Sequence, residues 1–276
     1  MNNFIHVITT RFNVPTKVWT VTRDGQKPLS DAWLKDRFEI FRKYCLPSFK
    51  NQENQNFIWL VFFDTQTPQN YLDEIEGIQK DFPKFQPVFV NDFDEMYTMA
   101  LKTISTHFSP ETEYLISTDI DNDDLLHKNF ISEIQRLFQP KHNFVIDLIR
   151  GLQLTKTLGN KAVANDFYMI ANPFISLVEN ISDFGTVMKD KHLSYRNYPD
   201  YTYFDAEPRF IQFIHANNLV NETVNSKKIS NIDFTDYGIA SENHFKISAL
   251  DANLSNFKRK FKLLGKLLIK NKNAKS

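Results

Sequence analysis

Apolar runs and mixed helical stretches alternate along the first 125 residues of this chain. Phe4 to Thr10 is a short apolar run with β-branched residues and reads as a first strand, one that delivers Thr9, Thr10, Arg11, Phe12 and Asn13 to its carboxyl end. Residues 15–30, with two prolines and Asp24-Gly25, read as a loop. Asp31 looks like the cap of a helix through Trp33, Leu34, Phe38, Phe41 and Tyr44, which Pro47 stops near Cys45-Leu46. After a polar linker at 51–56, Phe57 to Phe63 is too continuously apolar for a one-faced strand, so both its faces are expected to be buried. It ends at Asp64. A helix over Tyr71–Lys80, a strand over Phe85–Val90 and a helix through Met96, Met99, Ala100 and Ile104, capped by Asp92 or Asp94, follow. The alternation predicts an α/β fold with a mostly parallel sheet and a nucleotide-type site. The second half is less regular. Lys128–Phe138 reads as a helix, Phe144–Leu154 and Ala162–Ala171 as strands, and Pro173–Asn180 as a short helix.

The strand that begins at Tyr114, Leu115 and Ile116 runs into carboxylates at 119, 121, 123 and 124. Carboxylates crowded at a strand end repel one another, a cost that a cation among them relieves. In an open α/β sheet, ligands bind at that end of the strands. Asp119-Ile120-Asp121 therefore reads as a DXD motif, a divalent-metal site that could hold a nucleotide diphosphate. A solvated helix cap by Asp123 or Asp124 is the plainer alternative. A calcium loop of the EF-hand type fails, because its sixth and twelfth positions need Gly and Glu and here are Asp124 and Phe130. Near this motif, Arg11 could meet a phosphate or make a surface ion pair. Asp64 could bind a base or ribose, or cap the next helix.

Composition changes the picture in three ways. The 42% of hydrophobic residues, among them 26 Phe, is ample for a core in a chain of 276 residues. The lone Cys45 permits no internal disulfide and fits a reducing cytoplasm, and neither a signal peptide nor a membrane-spanning run is expected. The net charge of zero conceals an asymmetry: residues 256–276 hold eight of the 33 Lys/Arg and no acid, so the body of the chain is acidic and the tail basic. Basic residues confined to a tail argue against a nucleic-acid partner. Phe257, Phe261, Leu264 and Leu268 share one helical face flanked by lysine and arginine, the pattern of a basic amphipathic helix lying on an anionic membrane surface. Docking on the chain's own domain, or a dimer contact, is the alternative.

The chain also resembles a known family. Thr10-Arg-Phe-Asn13, Tyr44-Cys-Leu-Pro-Ser48, Gln55-Asn-Phe-Ile-Trp59 through Asp64, and Ser117-Thr-Asp-Ile-Asp-Asn-Asp-Asp124 look like the rhamnosyltransferase group of bacterial GT-A glycosyltransferases. Asn172-Pro-Phe-Ile-Ser-Leu-Val-Glu179, Thr186-Val187 with His192, and Ile214-His-Ala-Asn-Asn218 extend the likeness, so that it covers roughly 4–225; Ala216 stands where that group suggests Gly. The resemblance implies a GT-A-like fold, a nucleotide-sugar donor and a Mn²⁺ or Mg²⁺ ion. It makes Asp119 and Asp121 the metal pair and places Thr9, Arg11, Asp64 and Asp119 where such folds meet the donor. It also suggests a late histidine in the metal sphere, His215 first and His192 as its competitor.

An inverting transferase needs a base for the acceptor hydroxyl. Glu179 is the first candidate, with Asp190 and Asp183 in reserve. The expected layout is a GT-A-like domain over 1–250, with a nucleotide-sugar half (1–125) and an acceptor half (126–250), followed by the tail at 251–276. The expected activity is metal-dependent glycosyl transfer to a glycan or lipid-linked acceptor in surface polysaccharide synthesis, in the cytoplasm at the inner membrane face. A sugar nucleotidyltransferase is a second enzyme class, disfavoured by the lack of a Gly-rich loop after the first strand. A non-catalytic nucleotide-sugar or lipid-binding protein is the third reading.

Overall fold

The structure, a computed structural model, describes residues 3–16, 29–215 and 223–273, and side chains as far as 262. The elements run β1 (Phe4–Arg11), α1 (Asp31–Ile40), a π-helical turn (Phe41–Cys45), α2 (Leu46–Lys50), β2 (Ile58–Asp64), α3 (Gln69–Asp81), β3 (Phe85–Val90), α4 (Phe93–Ser105) and β4 (Tyr114–Asp119). Then come β5 (Leu125–Leu126), α5 (Phe130–Arg136), β6 (Phe144–Leu148), β7 (Arg150–Lys156), β8 (Ala162–Tyr168), β9 (Ser176–Asn180), β10 (Tyr201–Phe204), β11 (Phe210–Ile214), β12 (Lys228–Ile229) and α6 (Ala249–Asn273). The strands form a seven-stranded sheet, β10-β6-β9-β4-β1-β2-β3, and a five-stranded one, β12-β8-β7-β11-β5.

In the large sheet β4, β1, β2 and β3 are parallel, as the alternation in the sequence predicts, and β9 is antiparallel to both β4 and β6. β2 is buried on both faces, in line with its unbroken apolar run. One face of the sheet packs Ile8, Trp59, Val61, Phe63 and Ile116 against the first helices, and here the abundant phenylalanines gather: Phe12, Phe38, Phe41 and Phe63 are in ring contact, and Phe49 stacks on Trp59 at 3.6 Å. Such pairs add about 0.5–1.5 kcal/mol each beyond the area they bury. The other face carries Val7, Leu60, Phe62 and Leu115 and continues through Val145, Ile175 and Leu177.

Three segments differ from the sequence reading. Pro47 does not end the first helix. The backbone widens into a π turn, with Leu46 N–H bonding Phe41 O, and Pro47 then sits in the opening turn of α2, where its missing N–H leaves no bond broken. Ser30, rather than Asp31, caps that helix, its side chain accepting from Trp33 N. Pro173–Asn180 is not a helix. Its second part is β9, which pairs on both sides, and two ladders outweigh local preference. The apolar stretch Phe144–Leu154 breaks at Ile149 into two strands that belong to different sheets. The two expected halves of the domain thus share the large sheet, since β6, β9 and β10 extend it beyond β4.

Candidate functional site

β1, β2 and β4 end together. The register pairs Thr9 with Asp119, Thr9 with Leu60 and Arg11 with Phe62, so Thr9, Arg11, Asp64 and Asp119 share one face at the carboxyl edge of the parallel strands. The Thr9 hydroxyl donates to Asp119 Oδ1 at 2.8 Å. The Arg11 guanidinium lies 5.7 Å from the ring centroid of Phe93, the first residue of α4. Asp64 accepts from Gln66 N through Oδ1, and its backbone N–H donates to Asn13 Oδ1. It closes a turn; the N-cap position of α3 belongs to Pro68.

Beyond Asp119 the chain turns sharply, and oxygens of Asp121, Asp123 and Asp124 lie within 4.8 Å of one another. Their surroundings divide them. Asp123 is buried between Arg37 and His215: Arg37 Nη1 donates to its Oδ2 at 2.6 Å, and His215 Nε2 lies 2.9 Å from the same atom. Burial would raise its pKa, but the charge of Arg37 and the bond from His215 outweigh that and hold it well below the usual carboxylate range. Asp124 is also buried and accepts from Phe213 N at 2.8 Å; burial first, then the charges of Asp123 and Asp121, push its carboxyl well above the ordinary value. Asp121 faces solvent. Its carboxyl is pushed up to about 6, by lost hydration and by the charges on Asp123 and Asp119. Because the residue is exposed, the crowding of carboxylates is the cause we stand behind. Asn122 anchors the turn, its amide donating to Arg11 O and Phe12 O while its oxygen accepts from Arg37.

This donor set fits a hard divalent ion, since carboxylates held above their normal pKa by mutual repulsion are relieved by a cation. Asp121 and the half-exposed Asp119 present oxygens toward solvent, whereas Asp123 and Asp124 are engaged inward. His215 reaches the cluster through Asp123 and not through Asp119 or Asp121. With Nε2 engaged there, it acts as a carboxylate partner. Ala216, beside it, lies outside the described residues.

Glu179 is not brought to this site. It sits opposite Leu115 on β4, four positions before Asp119, or about 13 Å along the strand at the usual rise. It is fully buried, and its carboxylate accepts from Gly185 N, Thr186 N and Lys189 Nζ at 2.8–3.0 Å. That is a structural tie, which pins the segment leading back across the sheet. Asp183 and Asp190 follow Glu179 in that segment, Asp190 accepting from Tyr198 Oη.

His192 lies elsewhere. Its Nδ1 is 2.6 Å from Ala171 O, and Ala171 N donates to Asp147, which the β6–β9 register carries to the level of Ile175 and so of Asp119, on the same face. A carbonyl only accepts, so Nδ1 is the donor in this contact, and in the neutral ring the lone pair lies on Nε2. Asn172 and Tyr201 also bind Asp147. Arg37, Asn122 and this Asp147 network escape a reading of the sequence. Asn172 does stand in one of the family-like segments, but nothing local marks Arg37, which reaches the acidic turn from α1.

A parallel sheet with an acidic turn at the carboxyl end of its central strand, flanked by an antiparallel strand, is a GT-A-like architecture. The family described as "Putative rhamnosyl transferase" matches residues 6–227, and the chain belongs to this family of glycosyltransferases. Among solved structures, S. aureus TarS 1-349 in complex with UDP-GlcNAc is 13% identical with a TM-score of 0.42, covering 76% of this chain and 59% of that one. The same TarS fragment in complex with UDP is 15% identical with a TM-score of 0.38, over 76% of this chain and 60% of that one. The chain thus spans less than two thirds of the length of these structures. No curated protein matches it.

The placement of Glu179 yields a prediction. Glu179→Ala strands the Lys189 ammonium and two buried N–H groups, so it should cost about 3–5 kcal/mol of stability. Chemical denaturation should show that loss, while the enzyme that remains folded keeps its turnover number. A stable variant with kcat reduced a hundredfold or more would restore Glu179 as the base.

Proposed function

We propose that this chain is a metal-dependent, inverting glycosyltransferase that moves a sugar from a nucleotide-sugar donor to a glycan or lipid-linked acceptor in surface polysaccharide synthesis. The observation that carries this reading is the pairing of Thr9 with Asp119 beside the exposed Asp121, at the carboxyl edge of the parallel strands. Arg11 and Asp64 flank the donor position, with Arg11 toward the diphosphate. Asp119 and Asp121 would hold Mn²⁺ or Mg²⁺, which when bound neutralises charge developing on the leaving diphosphate. Thr9 fixes one Asp119 oxygen and leaves the carboxylate oriented along the strand edge. His192, in place of Glu179, is the base we propose. Ala171 O holds its Nδ1 proton, and Nε2 takes the proton of the attacking acceptor hydroxyl. The tether of Ala171 to Asp147 keeps the ring at the level of Asp119.

The tail is part of the same proposal. No helix among the described residues is long and apolar enough to cross a membrane. α6 packs at its start through Ala252, and Asn256 exchanges two hydrogen bonds with the Lys228 backbone; beyond that point Phe257 and Phe261 are exposed and in ring contact. Lys258, Arg259, Lys260 and Lys262 surround them. The side chains of Leu264 and Leu268, which would extend this face, lie outside the described residues. An apolar pair ringed by cations suits an anionic bilayer surface, which would place the enzyme at the inner membrane face.

Three measurements test these assignments. In Mn²⁺, one of UDP, GDP, dTDP or CMP should raise Tm by several degrees, and Asp121→Ala should abolish that shift; the absence of a shift with every nucleotide would overturn the donor reading. His192→Gln should lower kcat by about 10²–10⁴ while the nucleotide-induced Tm shift persists; unchanged turnover would remove His192 from the reaction. Deleting 257–276, a cut that spares the Asn256–Lys228 contact, should abolish co-sedimentation with phosphatidylglycerol vesicles. Undiminished co-sedimentation would exclude α6 as the membrane contact.

A further inference from the structure

A cavity of about 610 Å³ lies at the outer edge of the small sheet, between β8, β12, the segment at 246–248 and the first turns of α6. We propose that this cavity is a second binding site, distinct from the acidic cluster, and that it takes a phosphate ester.

Charge is the first argument. Lys161, Lys228 and Lys246 line the cavity, and none of them takes part in an ion pair among the described residues. Natural surfaces normally intersperse signs, so unpaired lysines around one concavity mark a place for an anion. Lys228 is half-buried, and burial holds its pKa below the ordinary lysine value, a cost that a bound anion removes. Asp251, the one carboxylate in the wall, stands in the first turn of α6, where it favours the helix dipole, and its backbone N–H is capped by Ser248 Oγ at 3.2 Å.

Hydrogen bonding narrows the anion. Ser248 and Ser255 line the same space, as does Thr157, whose hydroxyl donates to Lys161 O at 3.0 Å, and the positive end of a 25-residue helix opens onto it. Several donors and amines around one cavity suit a group with three acceptor oxygens and up to two charges better than a planar carboxylate. The remaining wall is apolar, with Ala162, Ala164, Ile229 and Ile247 beneath the lysines. That division, a cationic mouth over an apolar floor, suits an ester whose body is carbon-rich rather than inorganic phosphate alone. The volume is in the usual range for small-molecule sites.

Position adds a last element. Thr155 is in register with Ile214 of β11 and with Val163 of β8, so the cavity opens at the same end of the small sheet as His215, two strands away, or about 10 Å. α6 leads directly from the cavity into the exposed Phe257–Phe261 face. Both a soluble phosphate monoester and the monoester headgroup of phosphatidic acid meet this chemistry.

The test uses the full chain in EDTA, so that metal-dependent binding at Asp121 contributes nothing. Calorimetric titration with glycerol 3-phosphate should show saturable binding, weakened at least tenfold in Lys161→Ala/Lys246→Ala and in Ser255→Trp, which fills the cavity without changing its charge. Asp121→Ala should bind as the parent does, which separates failure here from failure of the donor site. Displacement of glycerol 3-phosphate by phosphatidic acid vesicles would support the site and assign it to a lipid headgroup; lack of displacement would support it and assign it to a soluble ester. No saturable binding, or equal affinity in both cavity variants with Tm unchanged, would overturn the proposal.

Discussion

The architecture depends on how three carboxylates just beyond β4, Asp121, Asp123 and Asp124, are kept from driving one another apart. At separations under 5 Å, like charges out of bulk water cost several kcal/mol each unless they are neutralised or protonated. The chain solves this by sorting them. Asp123 is clamped by Arg37 from α1 and by His215 from the end of β11; Asp124 is turned onto a backbone N–H of β11; Asp121 is left toward solvent. Asn122 ties the same turn to the exit of β1. Asn122, Asp123 and Asp124 therefore connect both sheets and the first helix. Removing Arg37 from Asp123 would leave a buried charge uncompensated, a loss of about 3–5 kcal/mol in comparable settings.

That sorting also gives the site its polarity. Parallel pairing of β1 with β2 and β4 carries Thr9, Arg11, Asp64 and Asp119 to one edge and one face. Asp123 and Asp124 are engaged inward, whereas Asp121 is exposed and Asp119 half-exposed with Oδ1 bonded to Thr9, and these two are the pair the proposed cation would meet. The strand that follows on this face, β9, runs the other way, and its amino end rather than its carboxyl end faces the acidic turn. Groups at the start of β9 and in the loop before it, such as Ala171 with His192, lie near the edge. Groups at its far end, such as Glu179, cannot.

Much of this was legible in the sequence where the signal is local. The strand ends at Arg11, Asp64 and Asp119 could be read from apolar runs stopping at polar residues, because a buried parallel strand leaves no alternation to confuse with a helix. The metal-type acids stood out because their crowding has a physical cost. Direction was not legible. Pro173–Asn180 carries no mark of an antiparallel strand, and reading it as a helix left Glu179 apparently free to enter the site. Nor does Pro47 announce the π turn that accommodates it. The Arg37–Asp123–His215 clamp joins residues more than 80 positions apart from the turn they stabilise. Only the closure of β11 against β5 brings them together, so the role of His215 could be inferred as proximity to the acids but not as a bond to Asp123.

The acidic turn is the passage from one sheet to the other, β4 before it and β5 directly after it. Charge placed on Asp121 is felt at Asp124, and charge on Asp124 is held against β11. A cation at the exposed rim thus relieves repulsion within the hinge of the two sheets as well as binding its ligand. The small sheet carries His215 at one edge of the same end and the lysine-lined cavity two strands further across. The two sheets consequently present opposite charge at adjoining edges: acids where a metal–diphosphate would sit, amines where a second anion could be received.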